Sequence, residues 1–125
     1  MEMVIQGLIA LIALALSGLG IKSMFAPASM VKNFAIEPVG AAGLNTIRGM
    51  IGGLFLGCLA MLVAGFAMNN TVWFLAVAVI LGAVAIGRVI GILLDGFEKS
   101  VIPPLVVELV MVAILVTAHM QLGAA

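Results

Sequence analysis

The chain has 125 residues, of which 66% are hydrophobic and 8% are charged, and its five basic and five acidic residues leave no net charge. Soluble domains are typically about 45–50% apolar and about 25% charged, and a small soluble fold cannot bury this much apolar surface. The composition therefore excludes an ordinary soluble domain and, because it lacks a basic patch, a nucleic-acid-binding protein. We interpret residues 1–125 as a single-domain integral membrane protein in contact with membrane lipids.

The first apolar segment, residues 3–22, has about the 20 residues that a helix needs to cross a membrane. It begins beside Glu2 and has no Lys or Arg before it, which is not typical of a secretory signal peptide. We therefore expect a retained transmembrane helix. Residues 27–34 follow, with apolar and polar side chains mixed. This pattern is typical of a short interfacial helix at the membrane surface, and an irregular loop also fits it.

Three more apolar segments follow, at residues 44–68, 72–95 and 101–122. Each is long enough to span a bilayer, and only helices and closed barrels satisfy the backbone there. The sequence thus predicts an all-α, polytopic membrane protein, a four-transmembrane-helix antiparallel bundle.

Polar residues mark the turns between these helices. Asn70 or Thr71 is expected to cap the third helix. Gly96 suits a left-handed stop after it, and Ser100 suits the start of the fourth. Prolines 103 and 104 would then lie in the first turn of that helix, where a missing N–H is tolerated.

The basic residues predict the orientation. With four crossings, all five lie toward one face, and the opposite face has neither Lys nor Arg. By the positive-inside rule the charged face is cytoplasmic, so both termini are expected on the outer side. The five residues are Lys22, Lys32, Arg48, Arg88 and Lys99.

Charged residues inside the apolar segments are the strongest candidates for a site. Arg48, Arg88 and Glu108 each lie about two turns from the charged end, so a common layer roughly 10 Å deep is expected. The simplest pairing joins Arg48 to Glu108 and Arg88 to Asp95, with Asn45 hydrogen-bonding nearby. A structural ion-pair network, arginines reaching lipid phosphates, an anionic-ligand pocket and a proton path through Glu108 remain open.

Glycines spaced four residues apart indicate close helix packing. Gly49, Gly53 and Gly57 form one stripe on the second helix, and Gly87 and Gly91 form another on the third. We expect neighbouring helices, or partner subunits, to pack on these faces.

No pattern in the sequence indicates a cofactor or a metal site. Cys58 is the only cysteine and lies in an apolar run, so it is interpreted as a small buried hydrophobe. His119 has no second ligand at metal-binding spacing. Nucleophile and phosphate-loop motifs are absent as well, and so we expect neither catalytic residues nor cofactors.

The order of these features resembles a family of bacterial membrane proteins known as domain of unknown function 4345, distantly DoxX-like. The resemblance covers most of the chain and implies a four-helix bundle in a bacterial inner membrane. This sequence has Thr46 where an acidic residue is expected and Ile51 where an aromatic one is expected. The residues that carry the resemblance are Pro27, Asn45-Thr46-Ile47-Arg48, Gly52-Gly53, Gly87-Arg88, Asp95-Gly96 and Glu108.

Two functions follow as hypotheses. The first is a non-enzymatic accessory or scaffold subunit that packs in a homo-oligomer or in a larger membrane complex. The second is a protein that binds a lipid or an amphiphile, including a quinone-related one, in a polar pocket at Arg48, Arg88 and Glu108. A quinone-linked enzyme would require a cofactor or a nucleophile that the sequence does not indicate.

Overall fold

The computed structural model describes residues 1–123, and all regular structure within them is helical. Four helical spans are long and apolar enough to cross a membrane, which confirms the predicted all-α class with four such helices. In chain order the elements are α1 (Glu2–Phe25), a 3₁₀ turn (Pro27–Met30), α2 (Val31–Phe34), α3 (Gly40–Thr46), a π-helical segment (Ile47–Gly52), α4 (Gly53–Ala67), α5 (Val72–Asp95), a 3₁₀ turn (Lys99–Val101) and α6 (Ile102–Leu122).

The second of these four helical spans starts earlier than predicted. It runs without interruption through α3, the π segment and α4, from Gly40 to Ala67, rather than from residue 44. Its first turn consists of small residues, which give a weak hydropathy signal. Gly40 has φ +63°, a conformation that glycine adopts at little cost, so the chain turns sharply here as it enters the helix.

The link between α1 and α3 contains the predicted short helix. The 3₁₀ turn Pro27–Met30 leads directly into α2, which ends at Ala35 with φ 51°. Phe34 stacks on Phe55 with ring centroids 6.2 Å apart. The irregular-loop interpretation is therefore wrong, while the position of α2 at a membrane surface stays a prediction.

The two other turns match the predictions in part. Asn70 caps α5, since its Oδ1 accepts a hydrogen bond from the Val72 N–H at 3.0 Å. Gly96 ends α5 with φ +105° and ψ 161°, so the expected positive φ is present with an extended rather than helical ψ. Ser100 does not start the last helix, because it lies inside the 3₁₀ turn that Glu98 precedes. The two prolines stand in the first turn of α6, as predicted.

The chain forms two compact units. The first unit comprises Met1–Ile9 and the chain from Met61 onward, and the second unit comprises Ala10–Ala60. In the first unit, α5 and α6 pack along each other as an antiparallel hairpin. The aromatic ring of Phe74 lies against Gly65, where an added Cβ would come 2.5 Å from Phe74 Cε1.

In the second unit, glycines let the end of α1 approach the π segment and α4. An added Cβ at Gly52 would lie 2.9 Å from the backbone nitrogen of Met24. One at Gly20 would lie 3.2 Å from the backbone nitrogen of Leu56 and closer still to its side chain. Small residues at such crossings are typical of helices packed in a membrane.

Candidate functional site

The α5–α6 hairpin brings one arginine and one glutamate together. Arg88 Nε lies 2.9 Å from both carboxylate oxygens of Glu108. The glutamate side chain is 13% exposed and the arginine side chain 35% exposed, so the pair is shielded mainly on the carboxylate side. Because both oxygens share the Arg88 Nε–H group, the carboxylate is held in one orientation. The positive charge of the guanidinium balances its negative charge.

The helix geometry explains why these two residues meet. Arg88 lies seven residues before the end of α5, and Glu108 lies six residues after the start of α6. Because the helices are antiparallel and joined by a short turn, residues at matching distances from that turn lie side by side. Toward the other end of the hairpin, Thr71 Oγ1 and His119 Nδ1 are 3.0 Å apart.

The predicted pairing of the charges was wrong. Glu108 binds Arg88 rather than Arg48, and the Arg88–Glu108 bridge is the one ion pair among residues 1–123. Arg88 and Asp95 are seven residues apart on one helix, about 10 Å along its axis, whereas Glu108 projects from the adjoining helix. The expectation that these charges occupy one layer stays a prediction.

A cleft at the turn of the hairpin has Arg88 on one wall and encloses about 240 Å³. The carboxylate of Asp95 folds back along α5, since its Oδ2 would lie 3.9 Å from a Cβ placed on Gly91. We call this space the α5–α6 cleft. Its lining residues are Arg88, Gly91, Ile92, Asp95, Gly96, Glu98 and Val101.

Arg88 keeps hydrogen-bonding capacity after it has bound Glu108. Only its Nε takes part in the bridge, and its two Nη groups have no hydrogen-bond partner within the described residues. A guanidinium remains charged in proteins and presents five N–H donors in a planar fork. The free part of the fork can therefore bind a carboxylate or a phosphate.

Arg48 occupies a different setting, in the second unit. Its Nη1 donates a hydrogen bond of 2.7 Å to the backbone carbonyl of Met24. Met24 lies in the last turn of α1, where carbonyl groups lack partners within the helix and the helix dipole is negative. Arg48 therefore caps the end of α1, and Gly52 provides the space for that approach.

The π-helical segment around Arg48 was not predicted. It covers Ile47–Gly52 and so includes Ile47, Arg48 and Gly52 of the residues that carry the family resemblance. Its hydrogen bonds join residues five apart, which places Ile47 and Gly52 on the same buried side. Such segments occur frequently at functional sites, and three glycines within five residues were the only sequence signal of an irregular helix here.

The other predicted residues lie on open surfaces. Asn45 is exposed and makes no side-chain hydrogen bond within residues 1–123, so the expected bond near Arg48 is not formed. A Cβ added at Gly87 would meet nothing within 4 Å. The same holds for Gly49, Gly53 and Gly57, so the described chain packs no helix closely on that stripe and uses Gly52 instead.

Sequence reasoning missed Glu98 and Ser23. Glu98 precedes the last 3₁₀ turn and lines the α5–α6 cleft, a position that depends on how the turn folds. Ser23 is fully buried near the end of α1, and its Oγ has no hydrogen-bond partner among the described residues. Nothing in its sequence context marks it as buried.

No group of three or more potential metal ligands occurs in the part of the chain that the structure describes. Among the described residues, the strongest cluster of chemistry-bearing side chains is the α5–α6 cleft beside the half-buried Arg88–Glu108 bridge. It offers hydrogen-bond donors and carboxylates, which suit binding through charge.

Comparison with known proteins identifies a family. No curated protein and no solved structure matches the chain. The family described as Domain of unknown function (DUF4345) matches residues 4–119. The match covers most of each of the four long helices and includes Arg48, Arg88 and Glu108. The chain belongs to this family.

Proposed function

We propose that this protein is a non-enzymatic accessory subunit of a bacterial inner membrane, with both termini outside, and that it packs through the Gly49–Gly53–Gly57 stripe. The supporting observation is that an added Cβ at each of these glycines would meet nothing within 4 Å. Helices associate in lipid through such small-residue faces, because they allow the backbones to approach closely. The stripe is thus available to a second copy or to another membrane protein.

The oligomeric state tests this proposal. The full chain is purified in a gentle detergent, and its mass is measured by light scattering. We expect a homo-oligomer or a stable complex, and we expect Gly53→Leu to dissociate it. Gly7→Leu is the matched control, since Gly7 is equally open but lies on α1. A wild-type protein that is a solitary monomer would contradict the proposal.

A second candidate function is the binding of an amphiphile at the α5–α6 cleft. It is supported by the two Nη groups of Arg88, which the bridge to Glu108 leaves free beside a cleft of about 240 Å³. Retention of lipid by the purified protein, measured by native mass spectrometry, tests this function. A protein that retains no lipid under conditions that preserve its fold would count against it.

A further inference from the structure

The α5–α6 cleft is lined by both positively and negatively charged side chains. Arg88 and Glu108 cancel each other, which leaves the carboxylates of Asp95 and Glu98 on the cleft wall. Neither of these two carboxylates has a hydrogen bond or an ion pair with another side chain in residues 1–123. The cleft therefore combines free guanidinium N–H donors with two uncompensated acceptors.

This combination disfavours simple ions. An anion on the Arg88 Nη groups would be repelled by the two carboxylates, while a small cation on the carboxylates would leave those Nη groups without acceptors. A molecule that carries both an anionic group and an ammonium group satisfies both sides. Phosphate suits the guanidinium fork, and the N–H groups of a primary ammonium suit carboxylates.

The cleft is also placed where headgroups of this kind occur. It lies at the end of α5, whose last residue is Asp95. A helix of 24 residues is about 36 Å long, somewhat more than the hydrocarbon core of about 30 Å. If α5 crosses the membrane, its end reaches the headgroup region, and Ile92 and Val101 give the cleft an apolar part.

We propose that the α5–α6 cleft binds a phosphoethanolamine group, with the phosphate on the Arg88 Nη groups and the ammonium on Asp95 and Glu98. This inference rests on the second candidate function and names its ligand class. The group is the headgroup of a phospholipid or a free phosphoethanolamine. A quaternary ammonium has no N–H to donate, so phosphocholine should bind less tightly.

Native mass spectrometry of the full chain tests the proposal. The protein is offered phosphatidylethanolamine, phosphatidylcholine and phosphatidylglycerol with identical acyl chains. We expect about tenfold preference for phosphatidylethanolamine, the equivalent of about 1.4 kcal/mol. The double variant Asp95→Asn/Glu98→Gln should lose that preference, whereas Glu2→Gln, an exposed carboxylate on α1, should keep it.

The outcomes distinguish failure of the phosphoethanolamine assignment from failure of lipid binding as a whole. Equal retention of the three lipids, preference for phosphatidylglycerol, or an unchanged preference in the double variant would overturn the phosphoethanolamine assignment and leave lipid binding intact. Retention of no lipid would overturn both. The double variant leaves the Arg88–Glu108 bridge in place, and a thermal melt of each variant verifies its fold.

Melting temperatures measured with free phosphoethanolamine and with inorganic phosphate distinguish a lipid headgroup from a soluble ligand. A rise in melting temperature with free phosphoethanolamine, but not with phosphate, supports the same recognition chemistry with a soluble source. A rise with phosphatidylethanolamine alone supports the lipid headgroup. An equal rise with inorganic phosphate would contradict the need for the ammonium group.

Discussion

Arg88 and Glu108, twenty residues apart in the sequence, are joined across the α5–α6 hairpin by one Nε that lies 2.9 Å from both carboxylate oxygens. The bridge links two helices that also share the Thr71–His119 hydrogen bond toward the other end of the hairpin. It also orients the arginine so that its Nη groups remain available. Packing of the hairpin and the proposed ligand binding therefore depend on the same side chain.

Removing one partner of this bridge should destabilise the protein more than removing both. Arg88→Met leaves the glutamate shielded and unpaired, at a cost of about 2 kcal/mol. The double variant Arg88→Met/Glu108→Leu should recover most of that loss, because no unpaired charge remains. Thermal unfolding in detergent measures both, and equal stability of the single and double variants would contradict the interpretation.

Gly52 should tolerate substitution less well than its neighbour Gly53. A Cβ at Gly52 would lie 2.9 Å from the Met24 backbone, whereas one at Gly53 would meet nothing within 4 Å. Gly52→Ala should therefore cost about 1–3 kcal/mol through forced separation of the helices. Gly53→Ala is the control, and unfolding curves of the two variants that coincide would refute the close approach.

Arg48 should stabilise the end of α1 through its bond to the Met24 carbonyl. Arg48→Met removes the donor, and we expect a loss of about 1 kcal/mol because the bond is exposed. Hydrogen exchange should become faster in the last turn of α1 and stay unchanged in α5. Exchange that is unaltered in α1 would show that the cap contributes nothing.

Gly96 should resist replacement by any residue with a Cβ. Its φ of +105° and ψ of 161° lie in a region that L-residues rarely adopt. Gly96→Ala should cost about 1–3 kcal/mol, although the space around the position is open. Gly87→Ala, at an equally open helical position, should be neutral or slightly stabilising. Similar melting temperatures for both variants would show that the turn can relax.

Thr71 and His119 should contribute a smaller interhelical bond. Thr71→Val removes the hydroxyl at nearly constant volume, and we expect a loss of about 1 kcal/mol. Thr71→Ser retains the hydroxyl and serves as the control. If the valine variant melts at the temperature of the wild type, the bond at this end of the hairpin is not stabilising.

The sequence by itself determined the helical class and the four long helices. Apolar runs of about 20 residues leave few structures other than a transmembrane helix in lipid. Gly96 and the prolines at the start of α6 predicted the backbone conformation at their own positions. These features depend on neighbours along the chain, so a linear pattern suffices to predict them.

Only the tertiary structure decided which charges meet. Glu108 binds Arg88 because α5 and α6 form an antiparallel hairpin, and Arg48 binds a backbone carbonyl, an acceptor that every residue offers and no sequence pattern marks. The π segment and the position of Glu98 depend likewise on packing and on the course of a turn. Which side chains pair across helices depends on which helices are neighbours and on how far along each helix the side chains lie. Composition and residue spacing give neither.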